Sequence, residues 1–147
     1  GLDYFEYGPQ MSRGFRALKV WMTLKHYGAD GYRRLLSQGL RCAERLHELV
    51  RTSEDFHALH EPNLYIYSFR YAPREVSTMD EIVDKLNQEI ADEIQARGIA
   101  FIMTTKIHDK TVLRMSICSH RTTPADIEEV FGALVRIGRE KLQALSE

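Results

Sequence analysis

His57-Ala58-Leu59-His60-Glu61 sets two imidazoles three residues apart beside a carboxylate, a spacing that can hold a divalent metal. A working centre needs further ligands, and no other cluster of His, Cys, Asp or Glu stands near these residues in a stretch that reads as a polar loop. Loop histidines are ordinarily solvated, so the expectation is no metal site. A second candidate is the run Tyr65, Tyr67, Phe69 and Tyr71. Period-two alternation puts all four on one face of a strand, with Ile66 and Arg70 opposite. Such a platform can stack RNA bases. The same alternation serves a strand packed against a helix, and a formal net charge of −1 supplies no general pull toward a polyanion. Packing is the expected role. The nine glycines form neither GxxxxGKS/T nor GxGxxG, so no phosphate loop is encoded. No nucleophile adjoins a base and no carboxylate pair stands out. The sequence therefore offers no catalytic residue.

The elements around these residues follow from periodicity. In Gln10 to Gly28, Phe15, Leu18, Trp21, Leu24 and Tyr27 recur every three residues, and Val20 and Met22 widen the apolar face beyond one stripe. Arg13, Arg16, Lys19 and Lys25 interrupt it. A helix is expected to about Tyr27, with Gly28 as its C′ residue. Asp30 can cap a second helix carrying Tyr32, Leu35, Leu36, Ala43, Leu46, Leu49 and Val50. Gly31 and Gly39 weaken it, so packing must hold it.

After Thr52-Ser53-Glu54-Asp55 the character changes. Asn63 to Pro73 is rich in aromatic and β-branched residues and predicts a strand. Residues 77–96 predict a helix with Met79, Ile82, Val83, Leu86, Ile90 and Ile94 on one face, stopped by Gly98. Two strands, 99–107 and 111–119, flank His108-Asp109-Lys110 as a hairpin. In the second, Leu113, Met115 and Ile117 alternate with Arg114 and Ser116, giving one buried and one wetter face. Thr123 as N-cap, Pro124 at N1 and Asp126 at N3 start a last helix that runs to about Ala144.

The fold class is α+β: paired helices, then a β-α-β-β-α unit whose antiparallel sheet carries helices on one face. The boundary is expected near residue 51, with 1–51 as linker and helices and 52–147 as a small domain. Long helices before a small lobe point to a cap on something larger. At 147 residues the chain can bury a core of its own, and its 44% hydrophobic and 28% charged residues are ordinary for a globular protein. No apolar run approaches the roughly 20 residues that span a bilayer. Gly1-Leu2-Asp3-Tyr4-Phe5-Glu6 is acidic and unlike a signal peptide. Cys42 and Cys118 form no CxxC and point to free thiols in a reducing compartment, so cytoplasm is expected, with neither nucleic acid nor membrane as a partner.

Ser12 to Gly28 resembles the GRRFRxLKxWxxxxxYG stretch of the group II pyridoxal-phosphate-dependent decarboxylases, the family of the aromatic-L-amino-acid, histidine, tyrosine and glutamate decarboxylases. Arg13, Phe15, Arg16, Leu18, Lys19, Trp21, Tyr27 and Gly28 stand where that pattern places them. Asp3-Tyr4 matches the dipeptide just upstream, Tyr67-Ser68-Phe69-Arg70-Tyr71 resembles the family's CFR strand, and Asp109 to Thr123 resembles its terminal hairpin and helix cap. The likeness covers essentially the whole chain.

The resemblance implies a type I, aminotransferase-like fold in an obligate homodimer with active sites at the subunit interface. This chain would supply the helices connecting a large cofactor-binding domain to the small C-terminal domain, and the small domain itself. The apolar faces of the first helix would then be covered by parts of the enzyme outside this sequence. The implied reaction releases the α-carboxylate of an L-amino acid as CO2 to give an amine, with pyridoxal 5′-phosphate (PLP) as cofactor; some relatives form an aldehyde instead. The family's cofactor-bearing lysine follows a histidine in a DxHKW-type motif, and no His-Lys pair occurs here. Lys19 and Lys25 are expected to be structural, and the chain alone inactive. By resemblance, Ser12 and Arg13 occupy the family's GR position at the substrate side-chain end of the pocket. Arg13 can pair with a substrate carboxylate or neutralise a protein carboxylate at the domain junction, and both roles stand. Gly14 replaces a second basic residue common in the family. A stand-alone, non-catalytic α+β binding or regulatory module is the alternative.

Overall fold

The computed structural model describes residues 3–9 and 14–145. The chain forms two compact units, residues 1–35 and 36–147. In the first, a short 3-10 turn at Tyr4–Tyr7 precedes the long helical stretch α1, Arg16–Thr52, which continues into the second unit. Gly28 breaks the helical geometry within α1, at φ 67° and ψ 171°. That positive φ is the conformation glycine adopts without a Cβ penalty, so the expected helix end at Tyr27 falls where the backbone turns. Asp30 does not cap the run that follows: it lies inside the helix and accepts from Arg33 Nη1, an i,i+3 neighbour.

The second unit adds β1 (Phe56–Ala58), β2 (Ile66–Tyr71), α2 (Asp80–Ala96), β3 (Met103–Ile107), β4 (Lys110–Ser116) and α3 (Pro124–Ala144). The four strands form one antiparallel sheet in the order β1-β2-β4-β3. The fold is α+β as expected, with one strand more than the β-α-β-β-α reading. β1 is three residues long, pairs Phe56 with Tyr71 and Ala58 with Phe69, and is too short to show a period of its own. His57 therefore sits in a strand, not in the expected loop.

One sheet face carries Phe56, Tyr67, Phe69, Tyr71, Leu113 and Met115, and the helices cover it. α1 contributes Cys42, Ala43, Leu46 and Val50, α2 contributes Leu86, Ile90, Ala91 and Ile94, and α3 contributes Ile127, Phe131, Leu134 and Ile137. Tyr67, Phe69 and Tyr71 are fully buried there, which makes the aromatic run core packing rather than a base-stacking surface. Ile117 is buried as well, while Ser116 is exposed, the alternation read from the sequence.

Strands β2 and β4 pair from Ile66–Ser116 to Phe69–Leu113 and then part. Two α2 side chains take the backbone groups released there. Asn87 accepts from Tyr71 N–H at 2.9 Å and donates to Tyr71 C=O at 2.8 Å, and Asp84 accepts from Thr111 N–H at 2.9 Å. Buried backbone groups left without partners are costly, so these side chains fix where α2 meets the sheet. The hairpin turns on His108 and Asp109, both at positive φ (49° and 62°), the pattern of a tight two-residue turn. Gly98, at φ 66°, ends α2 as expected. α3 starts on a complete capping box: Asp126 N–H donates to Thr123 Oγ1, and Thr123 N–H donates to Asp126 Oδ2 at 2.8 Å.

Candidate functional site

Ser12 and Arg13, the predicted substrate-binding pair, lie outside the described residues. Phe15 and then helix α1, from Arg16, follow them. Phe15, Val20, Trp21 and Met22 are all more than half exposed, and Leu18, Leu24 and Tyr27 are also exposed. Lys25 Nζ lies 5.6 Å over the Trp21 ring. Apolar side chains spread around one helix and left open to water are a surface built to be covered.

The metal-type spacing is not assembled into a centre. His57 Nε2–H donates to the Ala72 carbonyl at 3.0 Å, and His60 Nδ1–H donates to the Glu61 carbonyl at 2.6 Å. Among the described residues no three His, Cys, Asp or Glu side chains converge as metal ligands.

Two polar clusters in the second unit were not legible in the sequence. Arg70 is 5% exposed; its Nη2 donates to Asp84 Oδ1 at 2.6 Å and its Nη1 lies 3.3 Å from Asp80 Oδ1. Lys110 reaches the same Asp80 oxygen at 3.0 Å. The Lys110 ammonium first, then Arg70, holds the Asp80 carboxyl below its ordinary range. Asp80 and Asp84, one turn apart on α2, are the only sequence signal of this pairing. The other cluster joins His47 of α1 to Tyr67 of β2, with Nδ1 and Oη 2.8 Å apart. Burial, and secondarily the Glu61 charge, pushes the Tyr67 phenol up to about 12.

An open groove of about 620 Å³ runs beside the start of α3, lined by Ile99, Phe101, Ser119, Arg121 and Glu129 among others. It contains no lysine or histidine, and Ser119 Oγ is engaged by the Arg121 N–H. Of its two carboxylates, Asp126 is held by the Thr123 cap.

A PLP site needs a lysine amine in a cavity with an acid to meet the pyridine nitrogen. All six lysines are described, and none is buried. Lys85, Lys110 and Lys141 are ion-paired to Glu89, Asp80 and Glu93, while Lys19 and Lys25 stand on the exposed run of α1. The described residues do not fit that cofactor by themselves.

Comparison with known proteins gives this arrangement its context. Residues 1–72 match the model of the pyridoxal-dependent decarboxylase conserved domain. The aromatic-L-amino-acid decarboxylase of Bacillus atrophaeus is 30% identical over 139 residues, covering 95% of this chain but 29% of that enzyme. Among solved structures, the glutamate decarboxylase domain of a diaminobutyrate–pyruvate transaminase and L-2,4-diaminobutyrate decarboxylase from Vibrio parahaemolyticus is 31% identical. It superposes with a TM-score of 0.70 over 93% of this chain and 28% of its own. Oryza sativa TDC, solved with PLP and tryptamine, is 22% identical with a TM-score of 0.82 over 90% of this chain and 28% of its own, a likeness of fold. The chain spans less than a third of the length of these proteins. It belongs to the pyridoxal-dependent decarboxylase family.

Proposed function

We propose that this chain is the C-terminal portion of a PLP-dependent decarboxylase that releases the α-carboxylate of an L-amino acid as CO2 and leaves an amine. The observation that carries this reading is the match over 95% of this chain to 29% of an aromatic-L-amino-acid decarboxylase. The exposed apolar faces of α1 support it, because they need cover that residues 14–35 do not provide. In this reading residues 1–51 are the connecting helices and 52–147 the small domain. The later part of α1 serves both, since Cys42, Leu46 and Val50 belong to the small domain's core.

PLP is held by the N-terminal part of the same protein, and the chain alone is inactive, because no lysine here stands in a site that suits the cofactor. When bound, PLP supplies the electron sink for loss of CO2. This chain's part is to support the wall of the pocket. Ser12 and Arg13 border the substrate side chain, with Arg13 either binding a substrate carboxylate or neutralising a protein one. The enzyme works as a homodimer in the cytoplasm. The free thiols Cys42 and Cys118 suit a reducing compartment, and no helix among the described residues is long and apolar enough to cross a membrane.

The test is CO2 release from a panel of aromatic, acidic and diamino L-amino acids, using the polypeptide expressed together with its upstream coding sequence. PLP-dependent release is expected there and none from residues 1–147 alone. A polypeptide that folds but releases no CO2 from any L-amino acid overturns the reading. In the active protein, Arg13→Ala separates the two roles. A carboxylate-binding arginine gives a loss of about 2–5 kcal/mol on acidic substrates only. A junction arginine lowers the melting temperature and depresses all substrates alike.

A further inference from the structure

His47 is a buried imidazole with one nitrogen satisfied and one not. It is 9% exposed, its Nδ1 meets Tyr67 Oη at 2.8 Å, and its Nε2 is buried without a hydrogen bond. That second nitrogen faces Glu61 Oε2 at 3.4 Å, within ion-pair distance but outside hydrogen-bonding geometry. Glu61 belongs to the 59–65 loop joining β1 to β2, and its carboxylate is otherwise in water. We propose that His47 is a proton-operated latch, binding this loop to α1 through Glu61 when the ring is charged and releasing it when the ring is neutral.

The chemistry follows from the count of protons. With the phenol O–H donating to Nδ1, the neutral ring carries its one N–H at Nε2, uncharged and outside hydrogen-bonding geometry to the Glu61 carboxylate. Uptake of one proton from solvent at Nδ1 makes the phenol oxygen the acceptor there and sets a full positive charge against Glu61, an ion pair in place of a weak dipolar contact. The Tyr67 phenol, pushed up to about 12, keeps its proton throughout. The other groups near the pair are His60 of the loop, whose ring meets the Tyr67 ring at 5.7 Å, and Arg51, one turn further along α1, whose charge acts on Tyr67.

The loop is suited to being switched. Asn63 and Ile66 exchange both backbone hydrogen bonds, at 3.3 and 3.2 Å, which closes a turn with Leu64 at φ 56°. A leucine in the left-handed region is strained, and its side chain stands 67% exposed at the tip. Because Tyr65 is anchored against Gly39 of α1, the freedom that remains lies in residues 60–64.

The test is an NMR titration of the chain from about pH 5 to 8, where histidine side chains change charge. The amide signals of residues 61–64 are expected to follow the His47 ring signals with one midpoint. Hydrogen exchange at Asn63 and Ile66, corrected for its intrinsic pH dependence, should be about two- to fivefold slower at the acidic end, the scale of one modest ion pair. Glu61→Gln should abolish the loop response while the His47 ring still titrates, and His60→Gln should preserve it. Loop amides that stay flat while His47 titrates, a His47 ring that never titrates, a Glu61→Gln loop that responds like the parent, or a response lost in His60→Gln would each overturn the latch.

Discussion

Gly132 and Gly138 lie six residues apart on α3 and meet opposite surroundings. A Cβ at Gly138 would come within 2.8 Å of the Tyr71 ring, which is wholly buried and has nowhere to move. A Cβ at Gly132 would meet only Arg136 Nη1, at 3.6 Å, the flexible end of an exposed side chain. Alanine is favoured over glycine in a helix by about 1 kcal/mol. Gly132→Ala should therefore stabilise the chain by up to that amount. At Gly138 overpacking costs about 1–3 kcal/mol and outweighs the same gain, so Gly138→Ala should destabilise. Chemical denaturation of the two variants decides it, and equal shifts would mean that Tyr71 does not enforce the close approach. The buried tyrosines differ in a related way. The Tyr67 hydroxyl bonds His47, whereas the Tyr71 hydroxyl is buried without a partner. Tyr67→Phe should cost about 1–3 kcal/mol by leaving His47 Nδ1 unpaired, and Tyr71→Phe should be neutral or slightly stabilising. Both phenols are pushed up to about 12, chiefly by burial. The folded chain thus keeps protons that the unfolded chain loses near pH 10. This part of its stability is complete below pH 10 and disappears as pH rises to about 12. Each phenylalanine variant should flatten that alkaline decline in urea titrations.

At the scale of elements, the first run of α1 has little burial to hold it. Its exposed Leu18, Trp21, Met22 and Leu24 contribute little burial, and an isolated run of about three turns is marginal in water. In the monomeric chain its amides should exchange far faster than those around Leu46 and Val50, which are buried in the core. Strong protection across Leu18 to Leu24 in a monomer would show that the run needs no partner. The same contrast explains what could be read in advance. Local signals held: the Thr123 capping box, the positive φ at Gly28 and Gly98, and the alternation of Leu113, Met115 and Ile117 all lie within a few residues of their cause. Signals that depend on distant partners did not show. β1 exists because Phe56 finds Tyr71, Asp30 turned to Arg33 instead of capping, and Arg70 is buried because Asp80 and Asp84 come to it. Ser12 and Arg13 were reached through family resemblance alone, since nothing in their own spacing encodes a pocket.

At the scale of the whole molecule, the distribution of lysines suits the proposal that the cofactor is held by another part of a longer polypeptide. Each of the six amines is wholly or partly open to water, and three are tied to carboxylates by ion pairs. A lysine that bonds PLP selectively must be desolvated or placed beside charges that lower its pKa, so that the neutral amine is present near pH 7. No described surroundings here do that. If the chain is mixed with PLP and reduced with borohydride, label should therefore scatter over the exposed lysines, with Lys19 and Lys25 no more reactive than Lys106. Peptide mapping by mass spectrometry reads this directly. In the polypeptide that includes the upstream coding sequence, the same treatment should place one equivalent of label on a single lysine outside residues 1–147 and leave Lys19 and Lys25 unmodified. Stoichiometric labelling of either one, in the chain alone or in the longer protein, would make α1 part of the cofactor site and reverse the division of labour proposed here.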